Sequence, residues 1–242
     1  MTRALARQAL AEFVGTGFLV AAVVGSGIAA QRLSPHDVGL ELLENTTATA
    51  AALVAIIFAV GPVSGAHLNP VITLVDRLFG GLRTRAAVVY IAAQFAGGTT
   101  GAMAANTMFG LPVVALSSHH RATGPHLFAE AVATFGLVLV VFGVVRAGRD
   151  QIVPFAVGAY IAAAYWFTSS TSFANPAVTF SRMLSDSFAG IAPTSVPGFV
   201  GLELVGGALG AACIVALYPR VRDDAGEVLV HHTEAMTPPA PT

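Results

Sequence analysis

The stretch Ser64-Gly65-Ala66-His67-Leu68-Asn69-Pro70-Val71-Ile72-Thr73-Leu74 has a counterpart in Thr171-Ser172-Phe173-Ala174-Asn175-Pro176-Ala177-Val178-Thr179-Phe180, where six residues repeat in type from each Asn-Pro pair onward. An Asn-Pro pair fits a helix start, with Asn as the cap and Pro at the first helical position, where its missing N–H costs nothing. The helix-compatible residues that follow run only to Leu78 in one case and about Leu184 in the other. Ten helical residues rise about 15 Å, half of a bilayer's hydrocarbon core. Each unit therefore reads as a re-entrant loop followed by a half-helix, the loops being Gly61 to Leu68 and Thr168 to Ala174.

The surroundings are those of a membrane protein. Of 242 residues, 55% are hydrophobic and 10% charged, with a mean hydropathy of +0.74, far from the quarter-charged composition of soluble domains. Six apolar stretches approach the ~20 residues needed to cross a bilayer. They are Ala9 to Ala30, Glu41 to Val60, Thr84 to Asn106, His126 to Arg146, Ile152 to Ser170 and Val196 to Tyr218.

The duplication extends into these spans. Glu12 and Glu130 hold matching places in spans one and four, and Gln94/Glu203, Gly97/Gly206, Gly98/Gly207 and Gly101/Gly210 match in spans three and six at one offset of 109. Three spans per repeat is an odd number, so the second copy enters the membrane inverted relative to the first. The half-helices then enter from opposite faces and their N-termini meet near the midplane. The Gly-x-x-x-Gly spacings Gly97/Gly101 and Gly206/Gly210 are those of closely packed helices. The predicted organisation is one channel domain over 1–218, with repeats at about 9–106 and 126–218, and a disordered cytoplasmic tail at 219–242.

All twelve basic residues are Arg. Arg3, Arg7, Arg77, Arg83, Arg85, Arg146, Arg149, Arg220 and Arg222 fall on the side of both termini, against Arg32, Arg121 and Arg182 on the other. The positive-inside bias makes both termini cytoplasmic in a multi-pass plasma-membrane protein. Glu12 and the length of the first span favour a retained helix over a cleaved signal peptide. A net charge of −1 without a basic run excludes a nucleic-acid partner. Cys213, the one cysteine, permits no internal disulfide.

Two helix N-termini meeting at the midplane set partial positive charge, roughly half an elementary charge each, at the centre of any path between them. Asn69 and Asn175 add amide donors there. Fixed donors facing a passing water interrupt the in-line accept-and-donate order of a proton wire, and the positive ends repel cations. Carbonyls of Gly65 to Leu68 and Thr171 to Ala174 offer acceptors on either side. Glu12 and Glu130, costly inside a bilayer, are expected to brace the re-entrant loops by accepting from their backbone N–H groups, with His67 as a further partner. Neither a metal-ligand cluster nor a set of nucleophile, base and acid is present in the spans, so no enzyme, metal or cofactor is expected. Inverted repeats and broken helices also occur in proton-coupled secondary transporters; here Glu12, Glu130 and Glu203 are the candidate coupling groups. Glu203 has no partner legible in the sequence.

Over about Ala9 to Tyr218 these residues resemble the aquaporin, or major intrinsic protein, family. The matching motifs are Ala11-Glu12-Phe13-Val14-Gly15-Thr16, Ser64-Gly65-Ala66-His67-Leu68-Asn69-Pro70, Ala93-Gln94-Phe95-Ala96-Gly97-Gly98 and Asn175-Pro176-Ala177. The resemblance implies an all-α, right-handed bundle of six transmembrane helices and two half-helices. It also implies a homotetramer with one pore per protomer, and passive conduction of water and small neutral solutes.

The departures from the family pattern bear on selectivity. Where family members usually carry Arg after the second Asn-Pro-Ala, this chain has Val178. By the family's spacing the other constriction positions fall on Thr49, Ala163 and Ser172, a set without a large aromatic or a His. Such a filter is expected to be wide. Arg182 lies one helical turn beyond Val178 and is read either as a partial substitute or as an interfacial arginine. Val in the arginine position resembles bacterial aquaglyceroporin-like members linked to arsenic resistance, which implies passage of glycerol-like polyols and neutral metalloid or arsenical species. A mainly water-selective pore is the alternative within the family.

Overall fold

The computed structural model describes residues 1–218; the tail expected at 219–242 lies outside the described residues. In chain order the helices are α1 (Arg3–Leu33), α2 (Val38–Ser64), α3 (Pro70–Phe79), α4 (Thr84–Met108), α5 (Gly124–Arg146), α6 (Val153–Phe167), α7 (Pro176–Arg182) and α8 (Val196–Leu217). Six are long and two short, the all-α arrangement expected from the sequence. By length and hydropathy, α1, α2, α5 and the stretch ending in α8 each suffice to cross a membrane. Helix α4 is long but diluted by Gln94, Asn106 and its Thr and Gly residues, and α6 has only 15 residues.

Several boundaries differ from the sequence reading, α1 for example starting at Arg3 rather than Ala9, and two of them bear on the re-entrant loops. Helix α2 continues past Val60 to Ser64, with Pro62 inside it, and stops at Gly65 in the left-handed region at φ 84°. A proline removes one backbone donor, and here the helix runs on for less than a turn beyond it before Gly65 ends it. Helix α6 stops at Phe167 rather than Ser170, leaving Thr168 in extended backbone.

Small residues bring the long helices together. A Cβ on Gly97 would lie 2.1 Å from the Phe13 carbonyl oxygen, and one on Gly101 2.1 Å from that of Gly17, so α4 meets α1 backbone to backbone. The second repeat reproduces this, with Gly206 of α8 at 2.2 Å from the Ala131 oxygen of α5. The next glycine of each pair serves the opposite repeat. A Cβ on Gly98 of α4 would strike Ser181 Oγ of α7 at 2.4 Å, and one on Gly207 of α8 would strike Val71 Cγ1 of α3 at 2.3 Å. Each repeat's third long helix thus buttresses the other repeat's half-helix. Helices α2 and α6 pack together where the repeats join on the other side.

Candidate functional site

Each short helix starts as its Asn-Pro pair dictates. Asn69 Oδ1 accepts from the Val71 N–H at 2.9 Å, and Asn175 Oδ1 accepts from Ala177 and Val178 at 3.0 and 3.3 Å. With the oxygen so fixed, the amide nitrogen must point away from its own helix. Asn69 Nδ2 donates to the Ala174 carbonyl at 2.8 Å, and Asn175 Nδ2 donates to the Leu68 carbonyl at 2.8 Å. Each side chain is therefore both a cap and a tie to the opposite loop. An amide nitrogen carries two hydrogens, so one on each Asn remains beyond this tie.

The loops that receive these bonds are strained in parallel. Gly65, Ala66 and Leu68 have φ of 84°, 48° and 52°, and Thr171, Ser172 and Ala174, each 106 positions later, have 64°, 52° and 48°. Left-handed backbone at non-glycine residues costs about 1 kcal/mol or more apiece and persists only where surrounding contacts impose it. Two buried carboxylates supply such contacts. Glu12 accepts from Ser64 Oγ (2.6 Å), the His67 N–H (3.0 Å), the Leu68 N–H (2.7 Å) and Gln94 Nε2 (2.8 Å). Glu130 accepts from the Phe173 and Ala174 N–H groups at 3.0 and 2.8 Å. The His67 ring turns elsewhere: Nδ1 meets Thr73 Oγ1 at 3.1 Å, and Nε2 lies 3.6 Å from Asp76 Oδ2. Tyr90, edge-on to that ring, donates to the Ser64 carbonyl.

A cavity of about 70 Å³ runs past both Asn residues, room for a few water molecules. One wall is made by the two loops and by Ile72, Val178 and Arg182 of the half-helices. The rest is largely aliphatic, from α1, α2, α5 and α6, and includes Leu53, Leu137 and Ile161. Helices α4 and α8 contribute no lining residue; they stand behind the half-helices.

Of the four positions placed at a constriction by family spacing, Thr49, Ser172 and Val178 line this cavity. Ala163 does not, and that expectation is corrected. It is exposed on the outer side of α6, while Ile161 and Tyr165 face inward. The count to Ala163 crosses the irregular residues after Phe167, which do not advance with a helical period. Outside those four positions the wall does carry an aromatic, Tyr165, which donates to Thr49 Oγ1 at 3.3 Å. Arg182 is not an interfacial arginine. It is 2% exposed, lines the cavity, donates through Nε to the Ala189 carbonyl and sets its guanidinium carbon 3.4 Å from the Phe173 ring centroid.

Beyond α7 the chain is tied to the segment before α5. Ala115 and Ser117 N–H groups donate to the Leu184 and Met183 carbonyls, and the Ala192 N–H to that of His119. Outside the spans, the Ser118 backbone N–H, donating to Asp186 at 2.9 Å, holds that carboxyl below the ordinary carboxylate range, with the nearby His119 adding to the effect. Sequence reasoning did not single out Tyr165, Asp76, Tyr90, Thr73 or Phe173. Only Thr73, repeated as Thr179, left a trace in the internal repeat.

Six long helices around two half-helices, with a cavity threading their meeting point, define a membrane channel. The family model for the major intrinsic proteins matches residues 1–172, ending three residues before Asn175. The chain is 50% identical to aquaglyceroporin AqpS of Rhizobium meliloti over 214 residues, 88% of this chain and 89% of that protein. It is 32% identical to the probable aquaporin AqpM of Archaeoglobus fulgidus, across 90% and 98% of the two chains. In fold it is similar to the solved aquaglyceroporin of Plasmodium falciparum, with a TM-score of 0.67 at 19% identity, covering 90% and 96%. This chain belongs to the major intrinsic protein family, and it is a multi-pass passive channel for water and small solutes rather than an enzyme.

Proposed function

We propose that this channel conducts small uncharged hydroxylated solutes, glycerol-like polyols and neutral metalloid or arsenical hydroxides among them, as well as water. The carrying observation is Val178 on the cavity wall, where the family usually has Arg. A valine gives no charge and no bidentate donor, so the outer constriction selects weakly by size and polarity. In this reading Thr49, Ser172 and Val178 form that constriction, with Tyr165 as its aromatic wall in place of Ala163. Arg182, a turn further on, supplies the nearby positive charge against cations.

Asn69 and Asn175 form the waist. A passing oxygen accepts from the amide hydrogens beyond the cross-loop ties, so its own hydrogens point away from the centre and no proton wire forms there. Glu12 and Glu130 act as loop braces. Backbone carbonyls of the two loops serve as acceptors on either side. The relative from Rhizobium meliloti carries the name aquaglyceroporin, which supports the polyol part of this reading.

The channel works as a homotetramer in the plasma membrane, with both termini and the 219–242 tail in the cytoplasm. Stopped-flow permeability of proteoliposomes for water, glycerol, urea and arsenous acid tests the solute range. Wild type passes all four without a proton gradient, and Val178→Arg slows the bulkier solutes more than water. Equal slowing of every solute, or flux that collapses with the proton gradient, would sink the reading.

A further inference from the structure

Four positions correspond around the two half-helices: Glu12, Gln94, Thr73 and His67 in the first repeat, and Glu130, Glu203, Thr179 and Phe173 in the second. In the first repeat the amide of Gln94 is the neutral donor of the set. Its Nε2 donates to Glu12 Oε2 at 2.8 Å and to Thr73 Oγ1 at 2.9 Å. Glu203 stands in the place of Gln94 and, like Glu12, Glu130 and Gln94, has no exposure to solvent. Thr179 Oγ1 donates to Glu203 Oε1. Glu203 Oε2 is buried without a hydrogen-bond partner, and where Gly206 of α8 lies against the Ala131 carbonyl of α5 the Glu203 carboxyl is set beside Glu130 and near the Asn175 backbone N–H.

Two carboxylates in contact in a water-excluded site do not both ionise. We propose that Glu203 carries a proton and donates it to Glu130, doing in the second repeat what the Gln94 amide does for Glu12 in the first. Protonated and donating to Glu130, Glu203 Oε2 gains the partner it lacks. Glu130 then stays an anion fixed on the Phe173 and Ala174 N–H groups, directly ahead of Asn175. Glu203 is thus a positioning residue for the second loop and touches no solute.

The other titratable groups around the pair leave this assignment intact. Arg182 of α7 and Arg121 of the loop before α5 act on it by charge. Arg182 donates through Nε to the Ala189 carbonyl, and Arg121 donates to the Gly190 and Phe188 carbonyls. Tyr160 of α6 donates to the Ala133 carbonyl, and Tyr165 to Thr49. Helix α3 presents the apolar Val71 to α8, and Cys213, the other titratable group of α8, is ten residues along. At alkaline pH the shared proton leaves the pair. Once it leaves, the carboxylates repel, Glu130 is pushed off the loop amides and conduction falls.

The test pairs infrared spectroscopy of the full chain with proteoliposome water flux from neutral to alkaline pH. Wild type is expected to show the carbonyl band of a protonated buried acid, and flux that drops at alkaline pH. Glu203→Gln, the isostere of both the protonated acid and Gln94, loses that band, keeps its flux and no longer drops. Glu203→Leu, which removes the donor, lowers flux about tenfold at every pH. The reciprocal Gln94→Glu adds a second acid band. A band unchanged by Glu203→Gln, or an alkaline drop as large in Glu203→Gln as in wild type, would overturn the proposal. Flux is the readout that rests on the pore reading above. Loss of the band in Glu203→Gln with no flux in any variant would defeat that reading and leave the acid pair standing.

Discussion

Asn69 Nδ2 donates to the carbonyl oxygen of Ala174 across 2.8 Å, while its own Oδ1 caps helix α3. These two bonds lie at opposite ends of one carboxamide and separate by substitution. Serine is a good helix cap but is too short to reach the opposite loop. Asn69→Ser is therefore expected to keep α3 and lose the tie to Ala174, lowering stability in detergent by about 0.5–1.5 kcal/mol. Thermal unfolding with and without the substitution reads this directly. No change in stability would mean that the tie contributes nothing.

Glu12 accepts four hydrogen bonds, two of them from the N–H groups of His67 and Leu68, and has no solvent to replace any of them. Glutamine at this position has one acceptor oxygen and turns an NH₂ group toward donors. Glu12→Gln is expected to destabilise the protein by about 3 kcal/mol or more, because buried donors lose a charged partner. The left-handed residues Ala66 and Leu68 lose their restraint with it. Folded yield and unfolding midpoint of the purified variant are the measurements, and wild-type values in both would contradict the bracing role.

The glycines separate into two groups with opposite expected outcomes. At Gly97 an added methyl meets the Phe13 carbonyl oxygen at 2.1 Å, a backbone atom that cannot swing aside, whereas at Gly201 nothing lies within 4 Å. Gly97→Ala is expected to cost about 1–3 kcal/mol by forcing α1 and α4 apart. Gly201→Ala, in the middle of a helix, is expected to be neutral or to stabilise by up to about 1 kcal/mol. Parallel unfolding curves decide it, and equal shifts for the two would refute backbone-limited packing at Gly97.

The bundle was legible because its signals are local or periodic. The Asn-Pro starts, the length of each apolar run and the Gly offsets needed no knowledge of what lay across the molecule. The cavity wall was less so. Ala163 was located by counting back from Asn175 through irregular backbone, and two residues of difference on a helix exchange an inward side chain for an outward one, so Tyr165 was missed. Arg182 was ambiguous for another reason. A cation at that position is buried or exposed according to Phe173 and Ala189, which reach it from other segments and leave no mark near Arg182 itself. Glu203 matched Gln94 in the repeat, but what faced it emerged only once α5 and α8 were packed.

The exchange of buttresses, α4 behind α7 and α8 behind α3, has a consequence for biosynthesis. When residues 1–110 have left the ribosome, the Asn69 amide has no Ala174 carbonyl to meet, and Gly98 faces a surface not yet made. Helix α3 in turn waits for Gly207, in the middle of the last span. The first repeat can be inserted early, but it cannot be finished early. Its re-entrant loop stays provisional until the second loop arrives, so closing the centre of the molecule is the final step of its assembly.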